Sequence, residues 1–242
     1  LIMAIQSFTG YKLFVHGYDR SGDFNKINLD YSADELDSTS IGDTSKEFIA
    51  GLKTVKFDGE IFTSHGGGEV ETTSNANFAV ADKVITVYPG NTAGNVGYAF
   101  RSVQLTQSPQ MVIGDIARFT ISASSSGSAL IRVTDMEALA TKTSTGTGTA
   151  RQLGAVSAAQ TLYSFLHVIS ASSGDTLDVT IESDNAEGFS SATTQITHTQ
   201  FNAIGAEYKT KAGAITDDWY RVKWTIAGTD PSFTFNVGVG IL

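Results

Sequence analysis

The stretch YKLFVHGYDRSGDFNKINLDYSADELDST, residues Tyr11–Thr39, decides the fold that the sequence predicts. It begins with an apolar run, passes through the turn sequence at 21–23, Ser-Gly-Asp, and continues as an alternating strand. In that strand Ile27 and Leu29 point to one side and their polar neighbours to the other, which is typical of a strand with one buried face. A Gly-Asp turn between two such runs predicts a β-hairpin.

A later stretch repeats this pattern without a gap. YSFLHVISASSGDTLDVTIESDNAEGFSS, residues Tyr163–Ser191, again places Ser-Gly-Asp, at 173–175, between an apolar run and an alternating strand. In the same order, RFTISASSSGSALIRV at 118–133 resembles the two strands that close the chain at 219–241, which are also predicted to form a hairpin. Such self-similarity indicates an internal duplication. The alternative is coincidence, since strand–turn–strand segments resemble one another.

The fold class predicted from these patterns is mainly β, with two β-sandwich or half-barrel domains in tandem and at most short helices. We expect an N-terminal arm at 1–10, a first β domain at 11–137 and a second at 160–242. Between them, 138–159 contains the low-complexity run TSTGTGTA and is interpreted as a linker or long loop. A helix is expected only near Glu69–Asn77, and it is a short one.

Composition excludes several classes of function. The formal net charge of −9 makes the chain a poor candidate for binding nucleic acid, because affinity for phosphates comes from lysine and arginine. No apolar run approaches the length of about 20 residues that a membrane-spanning helix needs. The absence of cysteine excludes disulfides and thiolate metal sites.

The sequence shows no catalytic, cofactor-binding or metal-binding residues. The four histidines have neither HxH nor HExxH spacing, and the glycine run at 65–68 lacks the residues of a phosphate-binding loop. Asp58 and Glu60 share the outward face of a strand and could mimic a glycosidase pair, but a solvated face is the preferred interpretation. Trp219 lies opposite the apolar side chains of its strand, which suits an interface or a sugar-binding surface.

The segment SADELDSTSIGDTSKEFIAGLKTVKFDGEIF at 32–62, together with the early strand pair built on Ser-Gly-Asp, resembles tail tube (major tail) proteins of long-tailed bacteriophages. In that family a strand runs into a long loop that ends near the pattern GLK…DGE.F. The resemblance covers 11–135 and extends through the repeat to 160–242. A degenerate second copy departs from the usual pattern of one such domain, and it implies two tail-tube-like domains in tandem.

The resemblance implies a structural virion protein that self-assembles into stacked rings around an acidic channel for double-stranded DNA. Its expected partners are further copies of itself, as homotrimeric rings of pseudo-sixfold symmetry or as homohexameric rings, and other tail proteins. The DNA passes without specific binding, and neither a membrane nor a cofactor is involved. The expected location is the virion tail, after assembly in the host cytoplasm.

The predicted ring-stacking loop lies within Ser32–Leu52, a polar segment with little strand pattern. Its apolar residues need somewhere to be buried, and the candidates for the contact are Ile41, Phe48, Ile49 and Leu52. The alternative is that the loop folds back on its own domain. Other functions left open are a capsid decoration or tail-terminator protein, a carbohydrate-binding module, and, last, an enzyme.

Overall fold

The computed structural model describes residues 10–63, 69–111 and 113–242. These residues form sixteen strands in two antiparallel sheets and one short helix, which confirms the mainly β prediction. The strands are β1 (Lys12–Val15), β2 (Tyr18–Asp19), β3 (Phe24–Asp37), β4 (Phe48–Phe62), β5 (Lys83–Tyr88), β6 (Val96–Gln110), β7 (Arg118–Ser125), β8 (Ile131–Lys142), β9 (Gly146–Thr147), β10 (Arg151–Gln152), β11 (Thr161–Ala171), β12 (Thr176–Asp184), β13 (Thr193–Thr197), β14 (Gly205–Ala212), β15 (Trp219–Ala227) and β16 (Phe233–Ile241).

The helix, α1 (Val70–Asn77), lies where a short helix was predicted. Of the predicted N-terminal arm at 1–10, all but Gly10 lies outside the described residues, and so does the glycine run at 65–68.

The chain forms two compact units, each built from separate stretches of sequence. The first unit contains 10–21, 84–99 and 131–242, and the second contains the described residues of 22–83 and 100–130. The tandem division of the chain at 138–159 stays a prediction. That segment contains the end of β8 and the short strands β9 and β10, both of which pair with β15.

In the first unit, β16 lies between two layers and is buried on both of its faces. Its larger sheet has the strand order β14-β11-β16-β8-β6-β5-β1-β2, to which β6 contributes 96–99. On one face, a core of apolar residues from β11 and β16 packs against β12 and β15 of the five-stranded sheet, with the rings of Trp224 and Phe235 5.7 Å apart. On the other face the sheet folds over itself, so that Phe14 of β1 contacts His167 of β11 at 5.5 Å.

Burial on both faces explains the composition of β16. Phe233, Phe235, Val237 and Val239 are fully buried on one side, and Asn236 is fully buried on the other. Tyr88 lies directly over Gly238, where an added Cβ would come within 2.2 Å of its hydroxyl oxygen. Glycine is therefore needed in this strand because the backbone of one layer meets a side chain of the other.

The second unit is a sheet of strand order β3-β4-β7-β6, with β6 contributing 100–110, and α1 contacts it. As the alternation predicted, Val55, Phe57 and Ile61 of β4 are buried on one face. The ring of Phe24 packs edge-on against that of Phe57 at 5.8 Å. The helix is tied to β6 by Ser74, whose hydroxyl accepts a hydrogen bond from Gln104 at 2.7 Å and donates one to Gln107 at 3.1 Å.

The predicted hairpins are wrong. β1 pairs with β2 and β5, whereas β3 pairs with β4. In the repeated stretch, β11 belongs to the larger sheet and β12 to the five-stranded sheet, and β16 and β15 are divided in the same way. The turns at 173–175 and 229–231 therefore carry the chain from one layer of a sandwich to the other, which a local turn pattern does not distinguish from a hairpin.

Candidate functional site

The candidate site is the hairpin of β3 and β4, which extends beyond the rest of its sheet. β3 pairs with β4 from Phe24↔Ile61 to Asp37↔Phe48, whereas β7 pairs with β4 only from Phe62 back to Lys56. Residues 32–53, which we call the arm, thus form a two-stranded ribbon with a tip at 38–47. This corrects the prediction of a loop from Ser32 to Leu52, because most of that segment is paired strand.

The arm exposes large apolar side chains on both of its faces. All four predicted residues are exposed: Ile41 at the tip is fully exposed, Leu52 is 80% exposed, and Ile49 and Phe48 are about half exposed, at 58% and 49%. Leu36, which sequence reasoning missed, is 49% exposed and lies directly opposite Ile49. Clustered exposed apolar side chains mark an interaction surface, whereas scattered ones need no explanation.

The tip is closed by its own hydrogen bonds. The Thr39 N–H donates to Asp37 Oδ1 at 2.9 Å, and the Ser40 N–H donates to Asp43 Oδ2 at 2.6 Å. Hydrogen bonds from the Thr39 side chain and backbone lower the pKa of Asp37, and those from the Ser40 backbone and side chain lower the pKa of Asp43. Both carboxylates are therefore acceptors for backbone N–H groups that a tight turn leaves unpaired.

The sheet of the second unit has open edges. Among the described residues, the long strand β3 pairs only with β4, and β6 pairs only with β7 beyond Gln104, whose other edge forms a bridge with Phe78. An unpaired strand edge presents a row of N–H and C=O groups that can bond to another chain. The two edges lie on opposite sides of the sheet, so that one copy can offer a different edge to each neighbour.

The outward face of this sheet is polar and forms a shallow groove of about 530 Å³. Asp58 and Glu60 line it together, as predicted, with Lys26, Thr120 and Ser122 beside them. Hydrogen bonds from Asn25 and from Arg118, at 2.8 Å each, lower the pKa of Glu60. A carboxylate held ionised in this way is unsuited to be the general acid of a glycosidase. Asp58 beside it is exposed, as expected of a solvated face.

A hydrogen-bonded Ser-His-Glu arrangement in the first unit was not predicted. Ser164 Oγ lies 2.8 Å from His198 Nε2, and His198 Nδ1 lies 2.9 Å from Glu207 Oε2. Burial lowers the pKa of His198, and the hydrogen bond to Glu207 opposes that shift. For Glu207, burial raises the pKa, but hydrogen bonds from His198 and Thr199 prevail and lower it to about 2.

The order of these groups is that of a catalytic triad, but the serine is inaccessible. Ser164 is fully buried and His198 is 3% exposed. Ser164 lies on β11 on the same face as Leu162 and Leu166, which belong to the apolar core between the two sheets. A nucleophile must meet the substrate carbonyl and an oxyanion-stabilising donor pair, and neither can reach a hydroxyl in this position. The arrangement satisfies polar groups inside the core.

Other candidate residues also have structural roles. His167 is fully buried, and burial with the nearby His16 lowers its pKa to about 3, so the neutral ring accepts a hydrogen bond from the Gly17 N–H. Trp219, a candidate sugar platform, is half-buried. Within 10–63, 69–111 and 113–242, no three His, Cys, Asp or Glu side chains are grouped as a metal site would require. The described helix is too short to cross a membrane.

No protein-family model matches the chain, and neither does any curated protein. Among solved structures, one from the tail of an empty gene transfer agent particle has 15% identity and a TM-score of 0.42, covering 52% of this chain and 97% of that chain. The SPP1 tail tube has 8% identity and a TM-score of 0.40, covering 52% and 78%.

The Dit protein of SPP1, described as a hub adsorption apparatus of phages that infect Gram-positive bacteria, has 12% identity and a TM-score of 0.37, covering 96% of this chain and 99% of that chain. The structure is thus similar to tail tube proteins, as the sequence resemblance predicted, and also to a hub protein, which was not predicted. At these identities and TM-scores the similarity establishes neither a family nor a function, which have to be inferred from the geometry of this chain.

Proposed function

We propose that this protein is a structural virion protein of the tail tube type, which assembles with further copies of itself into stacked rings. The observation that carries the proposal is the arm, which presents Ile41, Phe48, Ile49 and Leu52 to solvent far from the core of its own unit. A folded chain gains nothing from keeping these side chains in water. Burial against another chain would stabilise a fully exposed side chain of this size by about 1.5–3 kcal/mol, and a half-exposed one by roughly half of that.

The open edges of β3 and β6 support lateral assembly. Pairing the β3 edge of one copy with the β6 edge of the next would close the sheets into a ring and remove the exposed edges that otherwise invite aggregation. The contact is heterologous, because two different edges meet, and such contacts form rings when the rotation closes. Three chains would complete a ring of pseudo-sixfold symmetry if each carries two tube-like domains, and six chains would complete it otherwise.

The charge of the protein fits a channel that DNA crosses without being held. At a net charge of −9, a ring of several copies is strongly acidic, and phosphates are repelled from such a surface. On this proposal the protein resides in the virion tail after assembly in the host cytoplasm, other tail proteins bind the ends of the stack, and double-stranded DNA passes through without specific contacts.

The first test is the native mass of the purified protein, measured together with negative-stain electron microscopy of the same sample. Rings or tubes with three chains per repeat support both the assembly and the duplicated domain, whereas six chains per repeat support the assembly alone. The double variant Ile41→Ser and Phe48→Ser should lose stacking while the circular dichroism of the subunit stays unchanged.

The size of that effect follows from the exposure of the two residues. Losing the burial of Ile41 and of the exposed half of Phe48 removes about 3–4 kcal/mol per contact, or roughly a 100- to 1000-fold loss in association. Ile204→Ser is a matched control, because Ile204 is a half-exposed residue of the first unit, at 48%. Loss of the folded signal in the double variant would show that the arm belongs to the core, and would contradict the proposal.

A further inference from the structure

A second exposed apolar cluster lies in the loop that joins β6 to β7. Met111 is 78% exposed, Ile116 is 63% exposed and Ile113 is fully exposed. The loop turns at Gly114, whose φ of +88° is a conformation that glycine adopts readily. None of these residues was assigned a role by the sequence. Three large aliphatic side chains in water within six positions of one another indicate a second interaction surface.

The loop and the arm lie at opposite ends of the same sheet. β7 begins at Arg118, which pairs with Phe62 at the end of β4, whereas the arm contains Phe48 at its beginning. At a rise of about 3.3 Å per residue, the two ends of β4 are roughly 45 Å apart. The arm and the loop of one chain therefore cannot cover each other, but those of two successive copies can.

The charges favour this pairing over a symmetric one. The arm contains five acidic residues and two lysines, so that two arms meeting tip to tip would bring together surfaces of the same sign. The loop and the strand before it, 104–118, carry only Asp115 and Arg118, and are neutral. An apolar, neutral surface can receive the acidic arm without repulsion between like charges.

We propose that the arm of one copy packs head-to-tail on the β6–β7 loop of the next copy, with the exposed apolar side chains of the arm, Ile41 among them, against Met111, Ile113 and Ile116. This rests on the proposed function and names the partner surface of the stacking contact. Because the two surfaces differ and lie at opposite ends of the sheet, each added copy presents a new arm and a new loop. Such a heterologous contact repeats without limit along one axis.

The chain has no cysteine, which makes disulfide trapping a direct test. A variant with Ile41→Cys and Ile113→Cys, oxidised in the sedimenting fraction of the protein, should form a ladder of covalent oligomers. A mixture of the two single variants should give one dimer band, whereas Ile41→Cys alone should give none. A second pair, Ser40→Cys with Asp115→Cys, leaves every apolar side chain in place and should form the same ladder.

The control pair is Ile41→Cys with Val80→Cys, since Val80 is an exposed residue of the same unit, at 43%. We expect about tenfold more cross-linking for the proposed pairs, because docking raises the effective concentration of one thiol near the other. Two outcomes would overturn the head-to-tail contact and leave the proposed function standing. In the first, the protein sediments but no cross-link forms between 40–41 and 113–115. In the second, Ile41→Cys alone forms dimers. Failure of every variant and of the parent protein to sediment would overturn the proposed function and this contact with it.

Discussion

Asp135 is a buried carboxylic acid whose charge should destabilise the protein. The residue is 1% exposed, and its Oδ1 accepts a hydrogen bond from Asn236 Nδ2 at 2.8 Å. Its Oδ2 has no hydrogen-bond partner among the described residues, and neither do the Asn236 Oδ1 and Tyr88 hydroxyl oxygens. Burial raises the pKa of Asp135 to about 7, although the hydrogen bond from Asn236 opposes the shift.

The raised pKa sets the sign and the size of the effect. Below pH 3.8 the carboxyl is protonated in both the folded and the unfolded chain, and its charge has no effect on stability. Between pH 3.8 and about 7 the unfolded chain releases the proton while the folded chain keeps it, so the free energy of unfolding falls as the pH rises. The full loss, reached above pH 7, is about 4 kcal/mol at about 1.4 kcal/mol per pKa unit.

The substitution Asp135→Asn removes the ionisation and keeps the shape of the side chain. Its Oδ1 can still accept from Asn236, and its N–H groups would have the two unpartnered oxygens of the cluster as acceptors. We therefore expect equal stability of variant and parent near pH 4, and a gain of about 4 kcal/mol for the variant at pH 8.

Urea unfolding followed by circular dichroism at pH 4, 5.5, 7 and 8 measures this difference, since the slope shows whether both chains unfold in the same way. Asp58→Asn is the control, because Asp58 is an exposed carboxylate on the outward face of the second unit. Equal stabilities of Asp135→Asn and the parent at pH 8 would refute a neutral, buried Asp135.

Three further predictions concern the first unit. Because the pKa of Glu207 is lowered to about 2, its contribution to stability is present above pH 4.5 and is lost as the pH falls. Glu207→Gln should reduce the dependence of Tm on pH between 2 and 5, and a parallel shift at every pH would contradict this. Phe235→Ala should lower the free energy of unfolding in urea by about 3–5 kcal/mol, because the ring is fully buried, whereas Tyr98→Ala, at a half-exposed ring, should change it little. A fluorophosphonate probe should label the folded protein no more than it labels Ser164→Ala, since the hydroxyl is buried; labelling that the variant lacks would restore the enzyme alternative.

Alternation along the sequence predicted the strands of this protein where one face is buried. In β4 and β15 the apolar residues at every second position are the buried ones, because side chains of a strand alternate between two faces. The arm was predicted as a loop because both of its faces are exposed, so that its polar and apolar residues follow no period. The sequence did not predict which strands pair with each other. Strand pairing depends on residues far apart in the sequence, and a local turn pattern contains no information about them.

The candidate site was predicted in part for the same reasons. Ile41 and Leu52 stand out as apolar residues in a polar segment, and that contrast is local. Ser164, His198 and Glu207 carry no motif, and they meet only because β14 pairs with β11 and the end of β13 lies beside it. No motif or spacing in the sequence indicates that these three residues lie together.

In the arm, on the side of Lys56 towards the tip, β3 and β4 pair only with each other, and this affects the kinetics of assembly. A two-stranded ribbon is marginally stable in water, so a free subunit must order its arm during docking and lose conformational entropy then. In the proposed head-to-tail contact, one arm is ordered for each contact that forms. A subunit that adds to an existing ring can also pair its sheet edges with ring neighbours, so that more contacts offset the same loss of conformational entropy. Growth from an existing end should therefore be faster than spontaneous initiation.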